Sequence, residues 1–164
     1  MSIIQKYNKE AIMDMLSEIV DPEIPVISIR EIGMLRDVVI SESGYEVILT
    51  PTYTGCPAMG IISEDIKTLL EKKGISPVTV KLVYAPAWTT DWMSDTAKEK
   101  MQRYGIAPPV HSSCNTIFTE FTEISCPHCG AKDTAMISKF GATACKALFK
   151  CNVCKEPFEY FKCH

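Results

Sequence analysis

Cys126-Pro127-His128-Cys129-Gly130, followed by Cys151-Asn152-Val153-Cys154 with 21 residues between the two pairs, is the pattern that decides the C-terminal third of this chain. A Cys-x-x-Cys turn lets two thiolates reach one ion, and two such turns close a tetrahedral shell of four sulfurs. Gly130, directly after the first pair, suits the tight turn. A β-rich module this small lacks the core to fold unaided. Metal binding, worth about 10–16 kcal/mol for structural zinc in small peptides, would supply the missing stability. The four cysteines are therefore expected to hold one ion, and zinc is the expected metal. A single iron takes the same tetrahedral sulfur, so spacing does not separate the two.

Working outward, Cys145 and Cys163 lie close to the pairs in sequence. Each is expected to be a small buried residue of the β-module; the sharper alternative makes them extra ligands for a second, transient ion or cluster. His128 and His164 are expected to be solvated, because four thiolates already complete the shell. A redox alternative also exists. Cys-Pro-His-Cys alone resembles the active motif of strongly oxidising thiol–disulfide exchange proteins. That chemistry needs the motif at a helix N-terminus in a βαβ unit. Here Phe121 to Ile124 leads into a turn, and a second pair waits downstream.

The chain has 164 residues, enough for one domain of about 100 residues plus a small module. It carries eight cysteines, six of them after residue 120. Clustered cysteines in a reducing compartment more often bind metal than form disulfides. Net charge is −3, with −5 over residues 1–93 and +1 over residues 115–164. That balance argues against a sequence-independent hold on nucleic acid, which rests on Lys and Arg at phosphates. No stretch approaches the roughly 20 apolar residues of a membrane span. Met1 to Glu10 lacks a signal-peptide apolar run. The expectation is a cytoplasmic protein with neither membrane nor nucleic acid among its partners.

Residues 1–110 read as a small α-β-β-α-β(-α) domain with a three-stranded mixed sheet, and residues 111–164 as the β-rich four-Cys zinc ribbon, an α+β chain overall. Ile12, Met15, Leu16 and Ile19 recur at helical spacing. Asp21-Pro22-Glu23-Ile24-Pro25 ends that helix. Met34 to Ile40 and Tyr45 to Thr50 read as strands around a Ser43-Gly44 turn. Ile62, Ile66, Leu69 and Leu70 mark a second helix, stopped by Gly74. Val78, Val80, Leu82 and Tyr84 alternate as a third strand, joined to the second by a right-handed crossover. Ser94 to Tyr104 reads as a third helix, and Gly105-Ile106-Ala107-Pro108-Pro109 breaks it.

Thr52-Tyr53-Thr54-Gly55-Cys56-Pro57 lies between a strand and a helix. Cys56 falls at or just before the helix start, with Pro57 at a favoured first position. Helix amides and the macrodipole favour a thiolate there. Cys56 is thus a candidate reactive thiol or transient metal ligand; the competing reading is a capping residue packed on the sheet, and spacing leaves both open. Asp21 and Glu23 could orient such a thiol or metal, although loop carboxylates are more often simply solvated. Trp88 and Trp92 would form an interface if exposed, or a staple if buried. No Ser-His-Asp set, phosphate-cradling Gly loop or metalloprotease helix occurs. All three histidines follow residue 110, which excludes His acid–base chemistry in the first domain.

Asp21-Pro22-Glu23-Ile24-Pro25, Gly33-Met34-Leu35, Thr50-Pro51-Thr52-Tyr53-Thr54-Gly55-Cys56-Pro57 and Tyr84-Ala85-Pro86-Ala87-Trp88-Thr89-Thr90-Asp91-Trp92 resemble the domain shared by cytosolic iron–sulfur assembly factors and bacterial SufT-like proteins. With Gly105-Ile106-Ala107-Pro108-Pro109 and the Cys ribbon, nearly the full length resembles the PaaD family of phenylacetate degradation. The resemblance implies a non-catalytic accessory of the multicomponent monooxygenase that epoxidises phenylacetyl-CoA. It implies help in loading iron or an iron–sulfur cluster, with Cys56 as transient site and Asp21 nearby. The partners implied are the oxygenase and its iron–sulfur reductase; a second copy of the chain is a further partner to consider. The ribbon is an addition to the minimal domain, so metal transfer through Cys56, through the ribbon or through both stays open. Two rival readings are a zinc-ribbon adaptor docking oxygenase to reductase through Trp88, Trp92, Phe158, Tyr160 and Phe161, and a rubredoxin-like or thiol oxidoreductase.

Overall fold

The computed structural model describes residues 7–110 and 123–162. The chain divides into two compact units between Trp88 and Thr89.

The first unit begins with helix α1 (Lys9–Leu16), whose N-cap Asn8 accepts the Ala11 N–H at 2.8 Å. Ile12 and Leu16, one turn apart, are fully buried. Strands β1 (Val20–Asp21) and β2 (Ile24–Ser28) then form a two-stranded antiparallel sheet. The sequence pattern predicts only a helix stop here. The helix instead ends earlier, at Leu16 with Ser17 as its C-cap, so Ile19 lies beyond it, and Pro22 belongs to a turn. Asp21 Oδ1 accepts the Glu23 N–H at 2.6 Å and the Ile24 N–H at 3.3 Å, with Pro22 between them. Pro25 is tolerated in β2 because a two-stranded sheet consists of edges.

Strands β3 (Leu35–Ser41) and β4 (Gly44–Leu49) pair antiparallel around Glu42 and Ser43. Helix α2 (Ala58–Lys72) crosses over, and β5 (Val78–Leu82) joins β4 in parallel, from Tyr45 opposite Val78 to Leu49 opposite Leu82. The sheet order is β3-β4-β5, the mixed three-stranded sheet expected. Helix α1 contacts β3, α2 contacts β5, and the two helices touch each other. Ile62, Ile66 and Leu70 of α2 and Val47 and Leu49 of β4 are fully buried in this core. Trp88 is buried as a staple: its Nε1–H donates to the Ile32 carbonyl at 3.0 Å.

The second unit holds a 3₁₀ turn (Thr90–Trp92), helix α3 (Asp95–Tyr104) and strands β6 (Ile106–Ala107), β7 (Thr134–Ser138), β8 (Lys146–Cys151) and β9 (Pro157–Phe161), in the order β6-β9-β8-β7. Here β6 pairs in parallel with β9. A strand of the ribbon's own sheet therefore precedes residue 111, and α3 is grouped with the ribbon rather than with the first unit. Ala107, Ile124, Ala147, Phe158 and Tyr160 form the ribbon core together with Cys126 and Cys151. Phe149 partners Phe158 and Tyr160, with ring centroids 5.8 Å apart in each pair.

Gly44 opens β4 at φ +135°, and a Cβ there would lie 2.6 Å from the Pro77 carbonyl oxygen. Gly44→Ala is expected to destabilise the first unit by about 2 kcal/mol or more, through strain at an unfavourable φ and a backbone clash. Urea unfolding followed through the fluorescence of Trp88 measures it; a midpoint equal to wild type would show that the β4–β5 entry can move aside.

Candidate metal centre and the Cys56 loop

Each half of the metal centre is a turn that grips its own first cysteine. In the first, Gly130 N–H donates to the Cys126 carbonyl and Cys126 N–H to the Ala131 carbonyl, both at 2.9 Å. The second repeats the pattern: Lys155 N–H to the Cys151 carbonyl at 3.1 Å, and Cys151 N–H to the Glu156 carbonyl at 3.0 Å. The residue after each pair is left-handed, Gly130 at φ +77° and Lys155 at φ +68°. Glycine adopts that conformation freely, whereas lysine is strained in it. Asn152 ties the halves together, its backbone N–H donating to the Asp133 carbonyl at 2.9 Å and its Nδ2 to Asp133 Oδ1 at 2.7 Å.

These turns bring the ligating atoms of Cys126, Cys129, Cys151 and Cys154 within 4.8 Å of one another. Across the halves, Cys126 Sγ lies 3.7 Å from Cys154 Sγ, and Cys129 Sγ 3.6 Å from Cys151 Sγ. A tetrahedron of bonds about 2.3 Å long has edges of about 3.8 Å, so the four sulfurs fit one tetrahedral ion. Among the described residues this is the one group of three or more His, Cys, Asp or Glu side chains placed to share a metal. The sulfurs also compete for charge. The backbone N–H groups of Cys154 and Val153 hold the Cys151 thiol down at about 7. Cys154, although the Glu156 N–H favours its thiolate, is pushed up to about 12 by burial and by its three cysteine neighbours. A cation removes that conflict by letting all four ionise.

Cys145 is buried outside the cluster, its Sγ 3.0 Å from Thr143 Oγ1; Cys163 lies outside the described residues. His128 is exposed. Phe158, Tyr160, Phe161 and Trp88 are buried. Those four are core residues rather than the contact surface that the adaptor reading gave them. The alternation of β9 could have signalled a sheet interior, but strand aromatics look alike in sequence whichever side they face. Exposed large apolar side chains of the second unit are instead Tyr104, Val110, Met136, Ile137, Phe140 and Val153.

In the first unit, the loop between β4 and α2 turns at Gly55 and delivers Cys56 to the helix entrance, with Cys56 N–H donating to the Tyr53 carbonyl at 3.3 Å. Pro57 is the N-cap and makes no side-chain cap bond. The thiol fills that role itself, accepting the Ala58 N–H and a hydrogen bond from the Tyr53 side chain. The helix entrance does not, however, make Cys56 a thiolate. Burial, with 7% of the residue exposed, pushes the thiol above its ordinary value, and the charges of Glu23 and Asp21 push it further. Desolvation and two nearby carboxylates outweigh the donors. Asp21 and Glu23 thus act on Cys56 through their charge, but the three side chains do not form a group placed to share a metal. Asp21 is buried, its carboxylate fixed by the β1–β2 turn, while Glu23 is half-buried.

The same two parts emerge from comparison with known proteins. Residues 9–82 match the iron-sulfur cluster assembly protein family, and residues 111–162 match the PaaD zinc beta ribbon domain. An Escherichia coli protein provisionally named as a component of 1,2-phenylacetyl-CoA epoxidase is 47% identical over 149 residues, covering 91% of this chain and 89% of that protein. The chain belongs to the PaaD family. The first unit alone is similar to an Fe-S protein maturation auxiliary factor of Porphyromonas gingivalis, 36% identical over 54% of this chain and 86% of that protein. It also resembles the crystal structure of a domain of unknown function, DUF59, from Bacillus anthracis. That match has a TM-score of 0.53 and 28% identity, over 57% of this chain and 90% of that one. This PaaD-family chain thus joins an iron–sulfur-assembly-type domain to a ribbon with a metal-binding arrangement of four cysteines. Among its described residues no helix is long and apolar enough to cross a membrane.

Two outcomes are expected. Lys155→Gly relieves a left-handed lysine and should stabilise the metal-loaded ribbon by about 1 kcal/mol, read as a higher thermal midpoint; Lys155→Ala keeps the strained backbone and should give no such gain. For Cys56, alkylation should be slow at neutral pH and accelerate only above the usual thiol range, because its folded-state pKa is raised. Glu23→Gln removes one charge opposing ionisation and should move the midpoint of that pH profile down. A midpoint at or below an ordinary thiol's would refute this account of the site.

Proposed function

We propose that this chain is a non-catalytic accessory factor of a phenylacetyl-CoA epoxidase system, which helps load iron or an iron–sulfur cluster into the oxygenase or its reductase. Cys56 is the transient ligand, Asp21 and Glu23 assist it, and Cys126, Cys129, Cys151 and Cys154 hold structural zinc. The system is the one named for the E. coli relative, and the loading role extends the Fe-S protein maturation named for the relatives similar to the first unit.

The observation that supports this reading best is a buried thiol that feels the negative charges of Asp21 and Glu23. The negative charges that keep the proton on Cys56 also attract a metal cation. An incoming iron centre would displace that proton and form a bond to sulfur. Cys56 then waits as a neutral thiol, poorly reactive toward oxidants and alkylating agents, and becomes a ligand when its cargo arrives. The ribbon fits a resident ion for a different reason: its four sulfurs complete a closed shell, and two of them sit in the core. Zinc in such a shell supplies folding stability and no redox chemistry.

The reading is tested in cells that make the complete oxygenase and reductase. Cys56→Ser should leave one zinc per chain on this protein and lower the iron content and epoxidation activity of the purified system. Cys126→Ser should lose the zinc and the folded ribbon. Unchanged iron content with Cys56→Ser would rule out the role of Cys56. A brown protein carrying iron in the ribbon would rule out structural zinc.

A further inference from the structure

Besides the helix amide, a second polar group reaches the Cys56 sulfur: the phenol of Tyr53. Tyr53-Thr54-Gly55-Cys56 is a turn closed by the Cys56 N–H, which donates to the Tyr53 carbonyl at 3.3 Å. Its third residue, Gly55, sits at φ +83°, a left-handed position that such turns give to glycine. The first and last residues of a turn come within about 7 Å of each other at Cα, so the closure sets the Tyr53 side chain beside that of Cys56. The Tyr53 hydroxyl donates a hydrogen bond to the Cys56 sulfur, and the Ala58 N–H at the start of α2 donates to the same atom.

The two donors differ in kind. The Ala58 amide is fixed by the helix start, whatever side chains the loop carries. The Tyr53 hydroxyl is a side-chain choice, since phenylalanine would fill the same half-buried place. The chemistry of sulfur gives that hydroxyl a use. A neutral thiol is a weak acceptor, and a charged sulfur is a strong one. A donor here therefore contributes little while the thiol keeps its proton and more once the proton has gone. Cys56 is buried, so little water stands ready to replace the bond. Asp21 and Glu23 bring negative charge, which opposes an anionic sulfur. Tyr53 is a side-chain donor set against those charges.

We propose that Tyr53 is a positioning residue of the Cys56 site, whose hydroxyl orients the sulfur and stabilises it in the metal-bound state. This role rests on the loading function proposed above for Cys56. When an iron centre arrives, the S–H bond of Cys56 breaks and its proton passes to solvent. The electron pair left on sulfur forms the bond to iron, and no oxidation state changes. Tyr53 keeps its own proton throughout, and its hydrogen bond strengthens onto a sulfur that now carries negative charge. Tyr53 thus acts through Cys56 and touches no cargo itself.

Tyr53→Phe removes the hydroxyl and keeps the ring, so the zinc-loaded full chain should retain its zinc content and thermal midpoint. Alkylation of Cys56 by iodoacetamide, followed at that residue by peptide mass spectrometry, should move to higher pH, opposite in direction to Glu23→Gln. The rate at a fixed pH on the rising limb should fall about threefold or more, with the high-pH plateau unchanged. In cells that make the complete oxygenase and reductase, the iron content of those proteins should fall between the wild-type and Cys56→Ser levels. An alkylation profile equal to wild type overturns the proposal. A changed plateau at an unchanged midpoint also overturns it, because Tyr53 would then shield the thiol rather than donate to it. A shifted profile with client iron unchanged, while Cys56→Ser lowers it, would confine Tyr53 to the resting thiol and refute its part in loading. Unchanged client iron with Cys56→Ser would remove the loading function itself, and the role of Tyr53 with it. A visible charge-transfer band on adding ferric iron, abolished by Tyr53→Phe, would make Tyr53 a metal ligand and overturn the positioning role.

Discussion

Four sulfurs held within 4.8 Å of one another are the constraint on which the second unit rests. Thiols so close cannot all ionise unaided, because each thiolate formed raises the cost of ionising its neighbours. They also cannot separate freely, because Cys126 and Cys151 lie in the same small core as Phe158 and Tyr160. The two turns solve a geometric problem by the same hydrogen bonds, and they differ only in the residue that follows. Gly130 takes the left-handed position without strain, while Lys155 takes it at a cost offset by the rest of the turn. That such strain is tolerated fits a site in which a bound ion contributes far more than one residue's backbone preference takes away.

In the first unit, local features and net effect diverge at Cys56. A thiol at a helix entrance, accepting a backbone N–H, has the donors that lower a cysteine's pKa elsewhere. Burial and the Glu23 and Asp21 charges oppose them and win. The placement of the Asp21 carboxylate depends on the turn in which it accepts the Glu23 and Ile24 N–H groups. The turn and the site's electrostatics are thus set by the same short segment.

Much of this was legible in the sequence because it is periodic or local. The helices around Ile12 and Ile66, the three strands of the mixed sheet and the two Cys-x-x-Cys turns each carry a signal within a few residues. The β1–β2 pair did not, since Asp-Pro-Glu-Ile-Pro reads equally well as a stop or a turn; the helix ends earlier, at Leu16, and this segment is the turn. Membership of the second unit was hidden for another reason. Ile106 and Ala107 join β9 across about fifty residues of chain, and a two-residue parallel pairing leaves no local pattern. The aromatics of β9 suggested a contact surface and turned out to be core. Exposure fell instead on β7, a strand whose composition looks equally suited to burial.

The donor sets separate the two cysteine sites more sharply than their reactivity does. The ribbon offers four soft sulfurs, a complete shell from which an ion has little reason to leave. Cys56 is the one cysteine described in the first unit, and among the described residues no set of three or more ligands closes around it. A single sulfur satisfies only part of an iron centre's coordination, and the missing ligands must come from elsewhere. A site that binds firmly only while another protein completes the shell can release its cargo to that protein. On the proposed function, the incompleteness of the Cys56 site is therefore what suits it to transfer, and the completeness of the ribbon is what suits it to structure.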